Sequence, residues 1–322
     1  MIRAFRIALA TAALALASSV HAQAWPAKPV KIVVPYPPGG AVDVVTRKMA
    51  AKLQEQTGQT FFVENKAGAT GTIGAAAVAQ SPADGYTLVA NDTTYALLPH
   101  IFRKLPFDAA HDLQPVAAFV FAPMAVVVRT DSKFKTLADL VGAAKAEPGS
   151  VSYGSGGAGT APHFVSEALG IAAGVHFLHV PFKGGGEATM GMLSGTIAFQ
   201  VASTAGVMGN LKGGKARLLA VSGSKRLAAL PDVPTFAEAG VKNFNGLVNF
   251  TGLWAPKGTP LPVIDRLQKE IAAAMASADM KAFAEGIASE PGYWDAATFA
   301  KDLAERTAAW GQVAAHASFE RQ

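Results

Sequence analysis

The chain is constrained most by a repeated alternation. Short apolar, β-prone runs are each closed by glycine or proline and followed by a segment with helical spacing. Residues 30–36 (VKIVVPY) form the first such run and end in Pro37-Pro38-Gly39-Gly40, the pattern of a buried strand entering a turn. Val42, Val45, Met49 and Leu53 then recur at helical spacing as far as Gly58, a residue type that ends helices. The pattern predicts a second strand at 61–63, a glycine-rich loop at 68–74, a small-residue helix at 73–79 and a third strand at 87–90. Strands separated by helices join as parallel βαβ units.

Residues 116–129 (VAAFVFAPMAVVVR) are β-prone for longer than an ordinary strand of about six residues and contain Pro123. This predicts a segment that leaves one sheet and enters another. A second alternating block follows, with strands expected at 150–153, 175–182, 196–202 and 216–222 and helices beginning near Thr160, Gly186 and Ala205. A strand near 249–255 carries the chain back. Two helices close it, at 261–276, where Pro262 suits a first turn, and at 296–316. The expected fold is α/β with two domains, each a mostly parallel sheet flanked by helices, and two crossings between them. Residues 25–124 with 252–322 form domain 1 and 125–251 form domain 2. A length of 322 residues accommodates both.

The first 24 residues stand apart. Arg3 and Arg6 precede an unbroken small-apolar run at 7–17, and two small-residue cleavage patterns follow, Val20-His21-Ala22 and Ala22-Gln23-Ala24. This is the layout of a secretory signal peptide, too short to span a membrane. Its removal takes away two arginines and lowers the net charge from +5 to +3. The remaining positive charge is scattered, which argues against nucleic-acid binding. Cysteine is absent, so disulfides, thiolate metal sites and thiol catalysis are excluded, and with them a lipid anchor on a cleavage-site cysteine. The expected location is a bacterial periplasm, unanchored, with free secretion the alternative.

The strand-to-helix loops carry the candidate chemistry. In an open parallel sheet ligands sit beyond the carboxyl ends of the strands. Here the loops there are poor in charge and rich in Gly, Ser and Thr: Pro37-Pro38-Gly39-Gly40, Ala69-Thr70-Gly71-Thr72, 155–160, 184–186 and Ser203-Thr204. Each opens a helix, whose first N–H groups lack partners and favour an anion. Ordinary caps and turns explain any one loop; several facing one cleft point to carboxylate or phosphate binding.

Two loops imitate dinucleotide fingerprints. Gly154-Ser155-Gly156-Gly157-Ala158-Gly159 fits G-x-G-x-x-G, yet the next strand lacks the acidic residue that holds a ribose. After the loop Gly68 to Gly74, Asp84 precedes the third strand, and Asp92 just beyond that strand is a substitute. No serine lies in G-x-S-x-G, and the seven histidines show no zinc spacing. No cofactor or metal is expected. His163, one turn into the helix after 155–160, is either a ligand donor or a structural histidine.

Several longer segments carry a family resemblance: 25–43 (WPAKPVKIVVPYPPGGAVD), 63–74 (VENKAGATGTIG), 81–88 (SPADGYTL), 159–163 (GTAPH), 180–184 (VPFKG) and 230–240 (LPDVPTFAEAG). The chain resembles the Bug family of periplasmic solute-binding receptors of tripartite tricarboxylate transporters. The resemblance implies a periplasmic-binding-protein (flytrap) architecture and a role in capturing a small organic carboxylate, aromatic or dicarboxylate among the options. It implies delivery to a permease of one large and one small membrane subunit, by a monomer that is not an enzyme. The ligand carboxylate is then held between Tyr36, Pro38, Gly39 and Gly40 and Ala69, Thr70, Gly71 and Thr72, partly through waters. Ser155, Gly156, Thr160, His163, Ser203 and Thr204 face them.

Many members carry an acidic residue where Ser203-Thr204 stands. Its absence argues against an amino-acid ligand and leaves room for a second carboxylate or a polar group. Pro38 stands where the family has alanine and stiffens the first loop. Tyr36, Tyr95 or Phe182 would flank a ring-bearing ligand. The competing functions are a ligand-presenting sensor subunit and a periplasmic enzyme using His163 with Ser155 or Thr160.

Overall fold

The computed structural model describes residues 25–241 and 248–316; the expected signal peptide lies outside the described residues. The first lobe begins with β1 (Val30–Val34), α1 (Ala41–Thr57), β2 (Phe61–Asn65), α2 (Thr72–Ala79), β3 (Thr87–Asp92) and α3 (Thr94–Ile101). The long β4 (Leu113–Arg129) leads into the second lobe: α4 (Leu137–Ala146), β5 (Ser152–Ser155), α5 (Ala161–Ala173), β6 (Leu178–Pro181), α6 (Gly185–Ser194), β7 (Phe199–Ser203), α7 (Thr204–Lys212) and β8 (Ala216–Val221). The chain returns through β9 (Val248–Pro256) and ends in α8 (Leu261–Ala276), α9 (Ala278–Gly286), β10 (Glu290–Trp294) and α10 (Ala296–His316).

Strand order is β2-β1-β3-β9-β4-β7-β5-β6, with β8 and β10 also paired to β4. The βαβ expectation holds at β2-β1-β3 and at β7-β5-β6, which are parallel. The returning strand β9 pairs antiparallel with both β3 and β4.

β4 is the crossing read from residues 116–129. Up to Pro123 it pairs with β9, and from Met124 it pairs with β7. Proline has no N–H to give to a ladder, so it fits the point where one set of partners ends. Beyond it the side chains alternate between faces. Met124, Val126 and Val128 enter one apolar cluster of the second lobe, and Ala125 and Val127 enter the other. In the first lobe, Phe119 packs with Ile264, Leu267 and Ile271 of α8, while Ala118 and Phe121 pack with Trp254 and Phe299 on the opposite face. The spacing of those three α8 residues sets one helical stripe against the sheet.

Three differences from expectation have local causes. The strand expected at 175–182 is only Leu178–Pro181, because Val175 N–H is used to close α5, donating to Gly170 O beyond a left-handed Gly174. α3 was hidden by Pro99 in its last turn. β10 was hidden by Pro291-Gly292, which suit an edge strand; Gly292 lies so close over Phe121 that a Cβ would come within 2.4 Å of its ring.

If β4 is the shared core element, Phe119→Ala, which empties a fully buried site, lowers unfolding free energy by about 3–5 kcal/mol. Urea denaturation would show a lower midpoint. A loss under about 1 kcal/mol, typical of surface substitutions, would place Phe119 outside the core.

Candidate functional site

The carboxyl ends of the parallel strands in both lobes face each other, and the helix starts that follow them enclose one cavity. Its wall includes Gly40, Ala41 and Val42 at the start of α1, Thr160 and Pro162 at α5, Gly185 at α6, and Ser203 and Gly206 at α7. None of the four N-cap residues, Gly40, Thr160, Gly184 and Ser203, makes a side-chain cap to its own helix. Helix starts without such caps leave backbone donors and partial positive charge directed at whatever lies before them. The cavity has about 70 Å³ of room for water-sized groups. One water needs roughly 10–15 Å³ by that measure, so the space is of the order of several water-sized groups, the scale of a small organic molecule.

Ser203 is only 4% exposed, and its hydroxyl has no hydrogen-bond partner. Leaving a buried hydroxyl unsatisfied is costly, so this group marks where a ligand atom belongs. Opposite it, Tyr36 donates to Asn91 Oδ1 at 2.8 Å. Asp92, Thr94 and Asn249 complete the first-lobe wall, and Thr189 and Gln200 the second. Gln200 is fixed, donating to Gly185 O at 3.1 Å and accepting from Thr189 at 2.9 Å.

The first loop is held at both ends. Asn65 donates to Tyr36 O at 2.9 Å, and Gly39 N–H donates to Asp43 Oδ2 at 3.0 Å. Burial opposes charge on Asp43, but hydrogen bonds from Arg47, Gly39 and Asn65 outweigh it and hold this carboxyl below its usual range. Asp92 is raised: burial disfavours its charge more than Thr94 and Asn249 favour it.

The residues expected from sequence divide into three groups. Tyr36, Gly40, Gly156, Thr160 and Ser203 line the cavity. Pro38 and Gly39 line an outer groove at its mouth with Phe182 and Met190. The structure does not bring Ala69, Thr70, Gly71, Thr72, Ser155, His163 or Thr204 into the cavity wall, because each has another task. Thr70 donates across the cleft to Ala158 O at 2.8 Å. Gly71 has φ +90°, and a Cβ there would meet the Tyr36 hydroxyl at 3.3 Å. Thr72 donates to Ala69 O at 2.8 Å. Thr204 donates to Ala288 O at 2.9 Å, joining the lobes behind the cavity.

Ser155 and His163 belong to a network beneath the 156–160 loop. Ser155 Oγ lies 2.7 Å from His179 Nε2 and donates to Gly157 O at 2.9 Å. His163 Nδ1 accepts from Gly159 N–H at 2.9 Å, and its ring stacks on His179 with centroids 3.9 Å apart. No histidine or lysine is among the described lining residues, and neither Ser155 nor His163 is. Of the aromatic candidates only Tyr36 lines it; Tyr95 is core, packed on Trp254 at 4.7 Å. The residues that sequence missed are Thr94, Thr189, Gln200 and Asn249, and Asp92, which had been noted only as a ribose partner. They share no local signal: Asp92 and Thr94 lie at or just beyond the end of β3, Gln200 and Asn249 near the starts of β7 and β9, and Thr189 inside α6.

The lobes touch across the cleft. Besides Thr70, Ala161 N–H donates to Thr94 Oγ1 at 3.1 Å. Gly184 sits against Pro37, where a Cβ would come within 2.6 Å of Cδ.

Burial lowers the histidine pKa values, to about 3 for His163, with a further push from His179, and to about 4 for His179. Unfolded histidines titrate near 6.5, so below that pH the unfolded chain binds more protons and stability falls as pH drops. The raised Asp92 acts in the opposite sense. The melting temperature should therefore fall between pH 7 and 5, with a smaller fall for His179→Gln. Equal falls in both proteins would mean that His179 is not held neutral.

The chain matches the family described as tripartite tricarboxylate transporter family receptor over residues 45–318. It is 34% identical over 286 residues to protein BugT of Bordetella pertussis, covering 88% of this chain and 86% of that one. Among solved structures it is similar to the periplasmic binding protein BugD, with 30% identity and TM-score 0.88 over 92% of this chain and all of that one. The R. palustris protein Rpa4515 with adipate gives 30% identity and TM-score 0.88 over 91% of this chain and 98% of that one. The two-lobed fold is thus the flytrap architecture of periplasmic binding proteins. The chain belongs to the family of tripartite tricarboxylate transporter receptors, the Bug proteins.

Proposed function

We propose that this receptor closes its two lobes on a small organic carboxylate and delivers it to a permease of one large and one small membrane subunit. In this account it is exported to the periplasm by residues 1–24 and acts as a monomer, without catalysing a reaction. Residues 25–124 with 252–322 and residues 125–251 are the two moving units. The observation that carries the reading is the meeting of the starts of α1, α6 and α7, none capped by its own N-cap side chain, in one small cavity with the unpartnered Ser203 hydroxyl. Backbone N–H groups at helix starts suit carboxylate oxygens, and a hydroxyl both donates and accepts. The adipate-bound relative Rpa4515 supports the ligand class.

Tyr36, Gly40, Gly156, Thr160 and Ser203 are then the contact residues from the expected set. Thr70, Gly71, Ser155 and His163 act behind them by setting the loops and the lobe contact. Closure is driven by tighter binding to the closed state.

A thermal-shift screen of mono-, di- and tricarboxylates tests this directly, since a ligand of the native state raises apparent stability, by about 2.7 kcal/mol at a hundredfold excess over Kd. A hydrogen bond to a charged group contributes about 1.5–3 kcal/mol. Ser203→Ala should therefore weaken the best ligand roughly tenfold to a hundredfold while leaving the unliganded melting temperature no lower, since it removes an unsatisfied buried hydroxyl. Gly184 has an extended backbone, φ −172°, so Gly184→Ala adds no backbone strain and obstructs only closure against Pro37. It should weaken binding by about 1–3 kcal/mol, the usual overpacking cost. Full shifts in both variants would place the ligand elsewhere.

A further inference from the structure

Asp92 ends β3 and faces into the cavity, 8% exposed. Its Oδ1 accepts from Thr94 N–H at 2.9 Å and its Oδ2 from Asn249 Nδ2 at 3.1 Å, and the Thr94 and Tyr36 hydroxyls also face it. All of these partners are neutral. Asp43, the other acid in the wall, has Arg47 beside it at 3.0 Å. Among the described lining residues there is no lysine, arginine or histidine. The cavity therefore has two unlike ends. One is donor-rich, made by the helix starts and the unpartnered Ser203 hydroxyl; the other presents the buried Asp92 carboxyl without a cation.

A bare carboxylate satisfies the first end but brings a negative charge up to the Asp92 carboxyl and offers it no donor, in a space of about 70 Å³ for water-sized groups. Buried charges are tolerated when paired or hydrogen-bonded. A ligand with an N–H or O–H donor on the carbon beside its carboxylate satisfies both ends at once.

We propose that Asp92 accepts a hydrogen bond from such a donor, so that the receptor selects amino or hydroxy acids over the corresponding bare acids. The inference rests on the carboxylate reading above. It also revises the expectation drawn from Ser203-Thr204. The acid missing from that loop is supplied from the opposite wall, at the end of β3, so its absence there does not count against an amino-acid ligand.

The test is calorimetric titration of the purified exported protein with two series on fixed skeletons: succinate, malate and aspartate; and phenylacetate, mandelate and phenylglycine. The expected result is that, in the series that binds, a donor-bearing member binds at least about tenfold tighter than its bare acid, one hydrogen bond's worth. Asp92→Asn keeps an acceptor oxygen but loses the charge, and Asp92→Ala loses both. An ammonium ligand should lose its preference in both variants, a hydroxyl ligand mainly in Asp92→Ala. Bare acids that bind the wild-type protein as tightly as their amino and hydroxy counterparts would overturn the inference while leaving the carboxylate reading intact. So would a preference unchanged in both variants. A protonated Asp92 donating to the ligand would give that same indifference to a second donor. If none of the six binds and the tightest carboxylate in the thermal-shift screen carries neither donor, this inference falls alone; if no carboxylate in that screen binds, the carboxylate reading falls with it.

Discussion

An α-helix begins with N–H groups that no residue of the helix can accept from, and most proteins cover them with a side chain of the N-cap. At this cleft four N-cap residues give no such cover, and at α5 the Thr94 hydroxyl of the facing lobe takes its place on Ala161 N–H. Gly40 and Gly184 have no side chain to offer, the Thr160 hydroxyl donates instead to Gly157 O, and the Ser203 hydroxyl has no partner. The result is a cradle for negative oxygen atoms built almost entirely from backbone. Its donors are fixed by the helices, so little ordering remains to be done when a ligand arrives, and no lysine or arginine is needed among the described lining residues. Everything else in the architecture serves to bring these starts together: parallel strands aim them, and β4 and β9 join the lobes that carry them.

The contact between lobes relies on small groups. Gly184 meets Pro37, and Gly206 meets Ala41 at a distance where one extra methyl would be in tight contact, 3.4 Å. The Thr70 hydroxyl and Ala158 O are drawn to 2.8 Å. Pro37 and Pro38 stiffen one side of this mouth, while the Asn65 and Asp43 hydrogen bonds pin the loop behind them. Rigidity here is useful because a loop ordered in advance reduces the cost of binding.

Much of this was legible in the sequence because it depends on local pattern. Strand runs, helix periods and the glycine turns between them follow from spacing, and the length of the run around Pro123 exposed the crossing strand. The loops containing Tyr36, Gly40, Gly156, Thr160 and Ser203 were identifiable as strand-to-helix loops of uncharged residues. Which side chains turn inward was not legible, since it depends on contacts between distant segments. Ser155 looks like a ligand hydroxyl until His179, 24 residues away, is seen to engage it. His163 looks exposed to the cleft until the stack on His179 is seen. Asp92 gives no local sign of its role, because its neighbour Asn249 comes from the returning strand 157 residues later.

The central claim is that backbone donors at the helix starts, with the Ser203 hydroxyl, hold the ligand's carboxylate. A crystal structure of the protein with the tightest-binding carboxylate tests it most directly. The account predicts carboxylate oxygens about 2.7–3.2 Å from first-turn N–H groups of α1, α6 or α7 and from Ser203 Oγ. A carboxylate seated in the outer groove beside Phe182 and Met190, or held by a lysine or arginine side chain, would contradict it.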